Sequence, residues 1–401
     1  MRVAIFTETF LPKWDGVAHT LCHLLDHLAL RGHHSLMFAP RGVLTHYADT
    51  PVVGLPSFNC PVYPGLRMVP PLVNVERELA EFWPDVVHLV NPVSLGLVGL
   101  RAARYLGLPV VMSYHTDLPG YTERYGIGLL RDLTWAYFRW LHNQADLNLC
   151  PSLFTQRELQ AHGFERVKVW LHGVDTLRFH PRKRCDDWRN RLTDGHPEAT
   201  LLLYVGRLAV EKRVDWLRAV VETLPEARLA IVGDGPQRLA LERSFAGAPV
   251  VFTGYLRGDD LAQAYAAGDL FVFPSANETF GNVVLEAMAS GLPVVAPRSG
   301  GPVDIVRDGE TGYLFESNNP EEMVRLTAKC VRDAEQMRRM GRAARAFAET
   351  QRWDVVLDGV LEEYADVVAA QRAARQQPQV SRISASRRAR LHALNRTLNS
   401  P

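Results

Sequence analysis

The chain has 401 residues, with 45 Lys and Arg against 44 Asp and Glu. That length suggests two domains, since one hydrophobic core rarely grows past about 250–300 residues. With 47% hydrophobic residues, 22% charged residues and a net charge of +1, the composition excludes a disordered chain, a collagen-like chain and a uniformly basic nucleic-acid binder.

The near-zero sum hides an uneven distribution. Residues 1–172 carry 14 basic and 14 acidic side chains, residues 173–370 carry 24 and 30, and residues 371–401 carry seven Arg and no acid. The basic excess therefore sits at the C-terminal end. Five cysteines, far apart and without a C-x-x-C pair, point to free thiols in a reducing compartment rather than to zinc or disulfides. The first apolar run, Val3 to Phe6, is broken at once by Thr7 and Glu8, which does not fit a signal peptide. No run of about 18 apolar residues occurs. A cytoplasmic protein is expected, with peripheral attachment to the inner face of the cell membrane open.

Strands and helices alternate in chain order. Val3–Phe6 reads as a buried parallel strand. A loop rich in Pro and Gly follows, then an amphipathic helix from Val17 to Leu30. Its Leu21, Leu24, Leu25 and Leu28 share one face, and Gly32 suits the left-handed cap. Ser35 to Ala39, Val86 to Val90 and Val110 to Ser113 are further strands. The rhythm restarts with a strand at Thr200 to Val205, a helix at Val214 to Leu224 and a strand at Arg228 to Val232. Strands at Val250 to Phe252 and Leu270 to Phe273, a helix at Asn282 to Ser290 and a strand at Pro293 to Ala296 complete it. After Pro320 the pattern is helical, and Trp353 to Arg372 reads as a last amphipathic helix. This βαβ order predicts an α/β fold of two Rossmann-like domains with parallel sheets facing across a cleft. The expected divisions are 1–172, 173–350, a C-terminal helix over 351–372, and a basic, disordered tail over 373–401.

Three clusters fall where strands end, the place where open α/β sheets bind ligands. Gly16 precedes the first helix, lets a ligand approach the backbone, and leaves N–H groups suited to an anion. Taken alone, a lone Gly before a helix is more often a plain turn. Arg207 and Lys212 follow a strand and could grip a diphosphate, one as a planar fork and one as a point charge. The alternative is a pair of solvated surface cations. The third cluster runs from Pro274 through Glu278, Phe280 and Gly281 to Glu286. Glu286 sits between Leu285 and Ala287, where a carboxylate either faces a cleft or is half exposed on its helix. Two carboxylates at this spacing suit sugar hydroxyls. His115, after the strand at Val110 to Ser113, could touch substrate or be structural. There is no G-x-x-x-x-G-K-[ST] loop, no G-x-G-x-x-G and no D-x-D.

Taken together, the residues resemble the retaining GT-B glycosyltransferases of family 4. The E-x7-E stretch Glu278–Glu286 continues into Ala287-Met288-Ala289-Ser290-Gly291-Leu292-Pro293. Gly206-Arg207 with Glu211-Lys212, Gly233-Asp234-Gly235-Pro236 and Gly300-Gly301 with Gly309-Glu310-Thr311-Gly312 match as well. Asp15-Gly16-Val17 and Tyr114-His115-Thr116-Asp117 look like the lipid-directed branch of GDP-mannose-dependent α-mannosyltransferases and sulfoquinovosyl-diacylglycerol synthases. The resemblance implies a GT-B fold whose C-terminal helix crosses back to the first domain. It implies that Arg207 and Lys212 bind the donor diphosphate, that Glu278 with the N–H groups of Phe280 and Gly281 contacts the donor sugar, and that Glu286 holds the ribose. Gly16 would close over the diphosphate, and His115 would touch the sugar. Many members carry Gly-Gly where this chain has Asp15-Gly16.

The expected reaction is metal-independent, retaining transfer of a hexose, mannose favoured, from a nucleotide-diphosphate sugar to a lipid or glycan. No cofactor is expected. The alternative is transfer from a UDP-sugar, glucose or sulfoquinovose, to diacylglycerol. More distant readings are a nucleotide-sugar epimerase and an inactive nucleotide-sugar-binding protein. The expected partners are the donor, the acceptor and an anionic membrane surface, with no nucleic acid. Trp135, Tyr137, Phe138 and Trp140 near Arg131 and Arg139 suit an interface, with core packing as the alternative.

Overall fold

The computed structural model describes residues 1–13, 15–60, 66–117, 128–276 and 278–376. Residues 377–401, which hold most of the expected basic tail, and Asn277 of the glutamate loop lie outside the described residues. The chain divides into two compact units. One comprises residues 1–151, 156–170 and 357–401. The other comprises 152–155 and 171–356.

Among the described residues, the strands of the first unit are β1 (Arg2–Thr7), β2 (His34–Pro40), β3 (His46–Tyr47), β4 (Thr50–Leu55), β5 (Phe58–Asn59), β6 (Arg67–Met68), β7 (Val86–Val90), β8 (Val110–Ser113), β9 (Leu147–Cys150) and β10 (Val167–Val169). Eight of them form one sheet in the order β10-β9-β8-β7-β1-β2-β4-β3. β1 is central, and Val3, Ala4 and Ile5 are fully buried, which is why the strand is apolar on both faces. The sheet is parallel except at its edge, where β3 pairs antiparallel with β4. β5 and β6 form a separate antiparallel pair. These short edge pieces depart from the expected all-parallel sheet. They carry no long apolar run, because an edge strand is not buried on both faces. The Gly16–Leu30 helix buries Leu21, Leu24, Leu25 and Leu28. Gly32 follows it at φ 71° and donates its N–H to Ala29 O at 3.0 Å.

The second unit adds β11 (Thr200–Val205), β12 (Ala227–Val232), β13 (Val250–Gly254), β14 (Leu270–Val272), β15 (Val294–Pro297) and β16 (Gly312–Phe315). They form an all-parallel sheet in the order β13-β12-β11-β14-β15-β16. Its core includes Leu202, Leu203, Tyr204, Phe271 and Phe273, each at most 1% exposed. The expected Val214–Leu224 helix begins as a single 3-10 turn, Val214–Trp216, and becomes α-helical only at Leu217–Thr223.

The strand order reverses between β1 and β7 in the first unit and between β11 and β14 in the second. Helices leaving neighbouring strands at such a point go to opposite faces, and a crevice opens at the carboxyl ends. Gly206-Arg207 and Pro274-Ser275 follow the strands at the second of these points. The last helix, Trp353–Gln376, passes to the first unit from Leu357 onward. There Asp358 pairs with Arg31 and with His27, the latter at 2.8 Å, Lys168 pairs with Glu363 at 2.7 Å, and Arg372 pairs with Asp85 at 2.9 Å.

Candidate active site

The loop after β11 is set by backbone contact with the loop after β12. Gly206 N–H donates to Val232 O at 3.0 Å, Leu208 N–H to Asp234 O at 2.9 Å and Gln237 N–H to Leu208 O at 3.0 Å. Side chains are excluded from this seam. A Cβ on Gly233, at φ 138°, would lie 1.9 Å from Gly206 O, and one on Gly235 would lie 2.4 Å from Leu208 O. The Gly-Asp-Gly sequence is thus a condition for placing Arg207. Tyr204, stacked on Phe273 at 6.2 Å, donates its O–H to Arg207 O at 3.2 Å. The Arg207 side chain is exposed and makes no hydrogen bond or ion pair among the described residues. Lys212 ends a 3-10 turn, Val210–Lys212. Arg213 next to it, at φ 51°, is fixed by Ser317 O and lies 4.7 Å over the Trp216 ring.

The loop after β14 brings Glu278 to this lysine. Lys212 Nζ ion-pairs with Glu278 Oε1, and Ser275 Oγ donates to the same oxygen at 2.7 Å. The two charged side chains are 20% and 18% exposed, so the pair faces solvent only in part. Behind the loop lies Gly300-Gly301. Gly301 N–H donates to Glu278 O at 2.8 Å, and Ser299 Oγ donates to Ala276 O at 2.9 Å. Cβ atoms here would sit 2.5 Å from Glu278 O and 2.1 Å from Phe280 O.

Phe280 is buried, 4.9 Å from the His172 ring. Gly281 takes φ 100° and opens the Asn282–Ala289 helix, whose Asn282 Oδ1 is 3.0 Å from His172 Nδ1. Neither the Phe280 nor the Gly281 N–H donates a hydrogen bond among the described residues. Both remain as donors for a ligand.

Glu286 lies one turn along that helix and is half-buried. Tyr265 O–H donates to its Oε2 at 2.9 Å. Burial pushes the Glu286 carboxyl up to about 7, against the Tyr265 hydrogen bond and the Arg178 charge, which pull it down. The structure therefore joins Lys212 and Glu278 directly, places Arg207 on the lysine's loop, and holds Glu286 through a different partner. Ser275 and Tyr265 were not singled out from sequence. A serine two residues past a strand and a tyrosine in an Ala-rich helix carry no motif of their own.

In the first unit, Gly16 is the first residue of its helix, and Asp15 is the N-cap. Asp15 Oδ1 accepts from Ala18 N–H at 2.9 Å, and Oδ2 accepts from Thr9 O–H at 3.0 Å. The departure from Gly-Gly thus has a structural use, since the carboxylate satisfies a first-turn N–H that was expected to meet an anion. His115 follows β8 and is 8% exposed, its Nε2 2.9 Å from Ser113 Oγ. Glu8, 6% exposed, follows β1 and accepts at Oε1 from Val93 N–H at 2.9 Å and Leu95 N–H at 2.7 Å. Trp135 and Phe138 are buried against Phe164, which settles them as core, whereas Trp140 is 51% exposed. No helix among the described residues is long and apolar enough to cross a membrane.

Two Rossmann-like units, with cations and a carboxylate gathered at a strand-order reversal of the second, define a GT-B architecture. Residues 14–178 match the model described as Glycosyltransferase Family 4, and residues 199–333 match that described as Glycosyl transferases group 1. The chain is 43% identical to sulfoquinovosyl transferase SQD2 of Arabidopsis thaliana over 88% of this chain and 71% of that protein. It is 40% identical to a GDP-mannose-dependent alpha-mannosyltransferase of Mycobacterium tuberculosis, over 91% and 96% of the two chains. Sucrose-phosphate synthase from Thermosynechococcus elongatus superposes with a TM-score of 0.74 at 20% identity, over 92% and 99% of the chains, and shares the fold. The chain belongs to glycosyltransferase family 4, in the branch that includes lipid-directed enzymes, and it is a glycosyltransferase.

Proposed function

We propose that this enzyme transfers mannose from GDP-mannose to a lipid or glycan acceptor, with retention at the anomeric carbon. The Lys212–Glu278 pair, with Lys212 on the loop that also carries Arg207, supports the reading. Glycosyl transfer builds negative charge on the departing diphosphate while the sugar becomes oxocarbenium-like. Cations fixed at that diphosphate act on charge that grows in the transition state, so they raise the rate and do not only tighten binding. Lys212 has three N–H donors and gives one to Glu278, leaving two for phosphate oxygens. Arg207 adds a planar fork. These groups supply the charge stabilisation without calling on a metal ion. Glu278 is placed by Lys212 and Ser275 to accept from sugar hydroxyls, and the Phe280 and Gly281 N–H groups donate from the same loop. Glu286 accepts from the ribose, and His115 meets the sugar. Retention follows from front-face attack, in which the departing phosphate takes the acceptor proton.

The mannosyl donor is favoured by mannosyltransferases at 36–40% identity spanning 90–98% of their own length. The 43% identity to a sulfoquinovosyl transferase favours a second reading, transfer from a UDP-sugar to diacylglycerol. Incubation with GDP-mannose, UDP-glucose and UDP-sulfoquinovose, each with lipid extract, separates the two. Product formation and thermal stabilisation with GDP-mannose alone is the expected result. Transfer only from a UDP-sugar overturns the donor assignment.

The site of action is the cytoplasmic face of a membrane. Seven Arg and no acid in residues 371–401 supply attraction to anionic lipid, at about 1 kcal/mol per residue near the surface. Sedimentation with anionic vesicles, for the full chain and for one ending at Gln376, is the test. Equal, negligible binding of both removes this attachment.

A further inference from the structure

One set of buried rings joins the strands from which the donor-site loops of the second unit leave. Tyr204, in β11, stacks on Phe273 with ring centres 6.2 Å apart. Phe273 stacks on Phe271 of β14 at 5.8 Å, and Phe271 meets Tyr265 of the Gly258–Ala267 helix at 5.9 Å. All four side chains are at most 1% exposed. Two of them carry hydroxyls. Tyr204 O–H donates to Arg207 O at 3.2 Å, and Tyr265 O–H donates to Glu286 Oε2 at 2.9 Å. Burial raises both phenols well above their ordinary range, so each keeps its proton and stays a donor. Under the proposed function, Arg207 meets the diphosphate and Glu286 the ribose. A single aromatic stack therefore reaches both groups.

The Tyr204 hydroxyl meets its loop closely. A Cβ on Gly206 would lie 2.7 Å from that oxygen and 3.1 Å from the Tyr204 Cζ. Gly206 is not in the left-handed region, so the hydroxyl, and not the backbone conformation, excludes a side chain there. The backbone at 206 rests on the phenol, and Arg207 is the next residue. Phe273 packs on the same ring immediately before Pro274, where the Glu278 loop begins. Tyr204 is thus set against both loops of the site. The Tyr265 hydroxyl is also 3.3 Å from Val283 O, so it is fixed at two places on the helix that carries Glu286.

We propose that Tyr204 and Tyr265 are positioning residues of the donor site. The Tyr204 hydroxyl sets the Arg207 loop at the diphosphate, and the Tyr265 hydroxyl sets Glu286 at the ribose. Phenylalanine at either position keeps the stack and loses the hydrogen bond. A misplaced Arg207 loses its hold on charge that grows in the transition state, which lowers kcat. A misplaced Glu286 loses a contact made equally in the ground and transition states, which raises KM.

This proposal rests on the donor roles of Arg207 and Glu286, and the two are tested separately. Steady-state kinetics are measured on full-length protein with whichever of GDP-mannose, UDP-glucose and UDP-sulfoquinovose the wild type turns over. Tyr204→Phe should lower kcat about tenfold with little change in the donor KM, and Tyr265→Phe should raise the donor KM about tenfold with a smaller change in kcat. Circular dichroism should be unchanged in both, since the rings remain. Gly206→Ala should lower kcat more than about tenfold in the wild type and by less in Tyr204→Phe, where the oxygen it strikes is gone. Wild-type kinetics in either Phe variant overturns the role of that tyrosine, and the same kinetic pattern in both overturns the division between diphosphate and ribose. Equal effects of Gly206→Ala in the two backgrounds overturn the contact that sets the loop. Loss of turnover in Arg207→Ala beside wild-type kinetics in both Phe variants overturns the positioning roles alone. Wild-type turnover in Arg207→Ala overturns the donor-site reading itself.

Discussion

Lys212 and Glu278 form an ion pair across 66 positions of sequence, one on the loop after β11 and one on the loop after β14. The pair sits where the strand order of the second sheet reverses, so two short loops suffice to bring opposite charges together. The two side chains are 20% and 18% exposed, so removing either partner changes the setting of a partly buried charge.

Lys212→Ala removes the cation proposed to meet the leaving diphosphate and takes the Lys212 ion pair away from Glu278. Turnover should fall by about 10²–10³-fold, the scale seen when a donor to a developing anion is lost. Circular dichroism should be unchanged, because the loop is also held at Gly206, Leu208 and Gly301. Near-normal turnover in the variant would remove Lys212 from the machinery.

Glu286 gives the reaction a pH signature. Its carboxyl titrates at about 7 in the unliganded protein because burial disfavours the charge. Below that pH it is neutral and a poorer acceptor for ribose hydroxyls. Above it, the carboxylate is restored. The donor kcat/KM should therefore rise between pH 6 and pH 8, and the Glu286→Gln variant should show a low, flat profile over that range. A profile in the variant that still rises with the wild-type midpoint assigns the titration to another group.

Much of the second unit is legible in sequence because its strands are buried on both faces and its loops need glycine. The β11, β12 and β14 runs read directly from Leu202, Ile231 and Phe271, and Gly233, Gly235, Gly300 and Gly301 mark backbone seams that no other residue fits. The β3, β5 and β6 strands were missed because they are two residues long and lie at or off an edge, and β4 was missed because Pro51 and Gly54 break up its apolar pattern. β9, β10 and β16, at three or four residues, were missed as well. Within the site, the charged residues announce themselves by motif. Tyr204, Tyr265 and Ser275 do not, since their roles depend on partners that only the fold brings near.

Two glycines should respond in opposite ways to alanine. Gly301→Ala puts a Cβ 2.1 Å from Phe280 O, and neither backbone can give way without moving the loop that carries Glu278. Donor binding and thermal midpoint should both fall. Gly359, in the last helix, has open space around a Cβ, and alanine there should stabilise by about 0.5–1 kcal/mol. Thermal denaturation of the two variants checks both signs. A stabilised Gly301→Ala protein would show that the seam is not tight.

Asp15 is tested as a cap rather than as an acceptor-binding residue. Asp15→Ala loses the bond to Ala18 N–H and should destabilise the first unit by about 1 kcal/mol. Asp15→Asn keeps an oxygen at the cap and should recover most of it. Urea denaturation followed by tryptophan fluorescence gives the comparison. Equal losses for both variants would show that the charge, and not the cap, matters.

Glu8 makes the stability of the protein depend on pH in a definite direction. Burial pushes its carboxyl up to about 7, although the N–H groups of Leu95 and Val93 pull it down. Unfolded, the same carboxyl titrates at 4.5. Between these values the folded protein binds more protons than the unfolded one, so stability is complete below pH 4.5 and is lost as pH rises through 7. The displacement from 4.5 to about 7 corresponds to about 3 kcal/mol at pH 8. Glu286 acts in the same direction, in a more open setting. Glu8→Gln keeps an oxygen for the Val93 and Leu95 N–H groups and cannot ionise, so its share of the pH dependence should vanish. The urea midpoint of the wild type should fall more between pH 5 and pH 8 than that of Glu8→Gln. Parallel falls in the two proteins would show that Glu8 is ionised well below 7 in the folded chain.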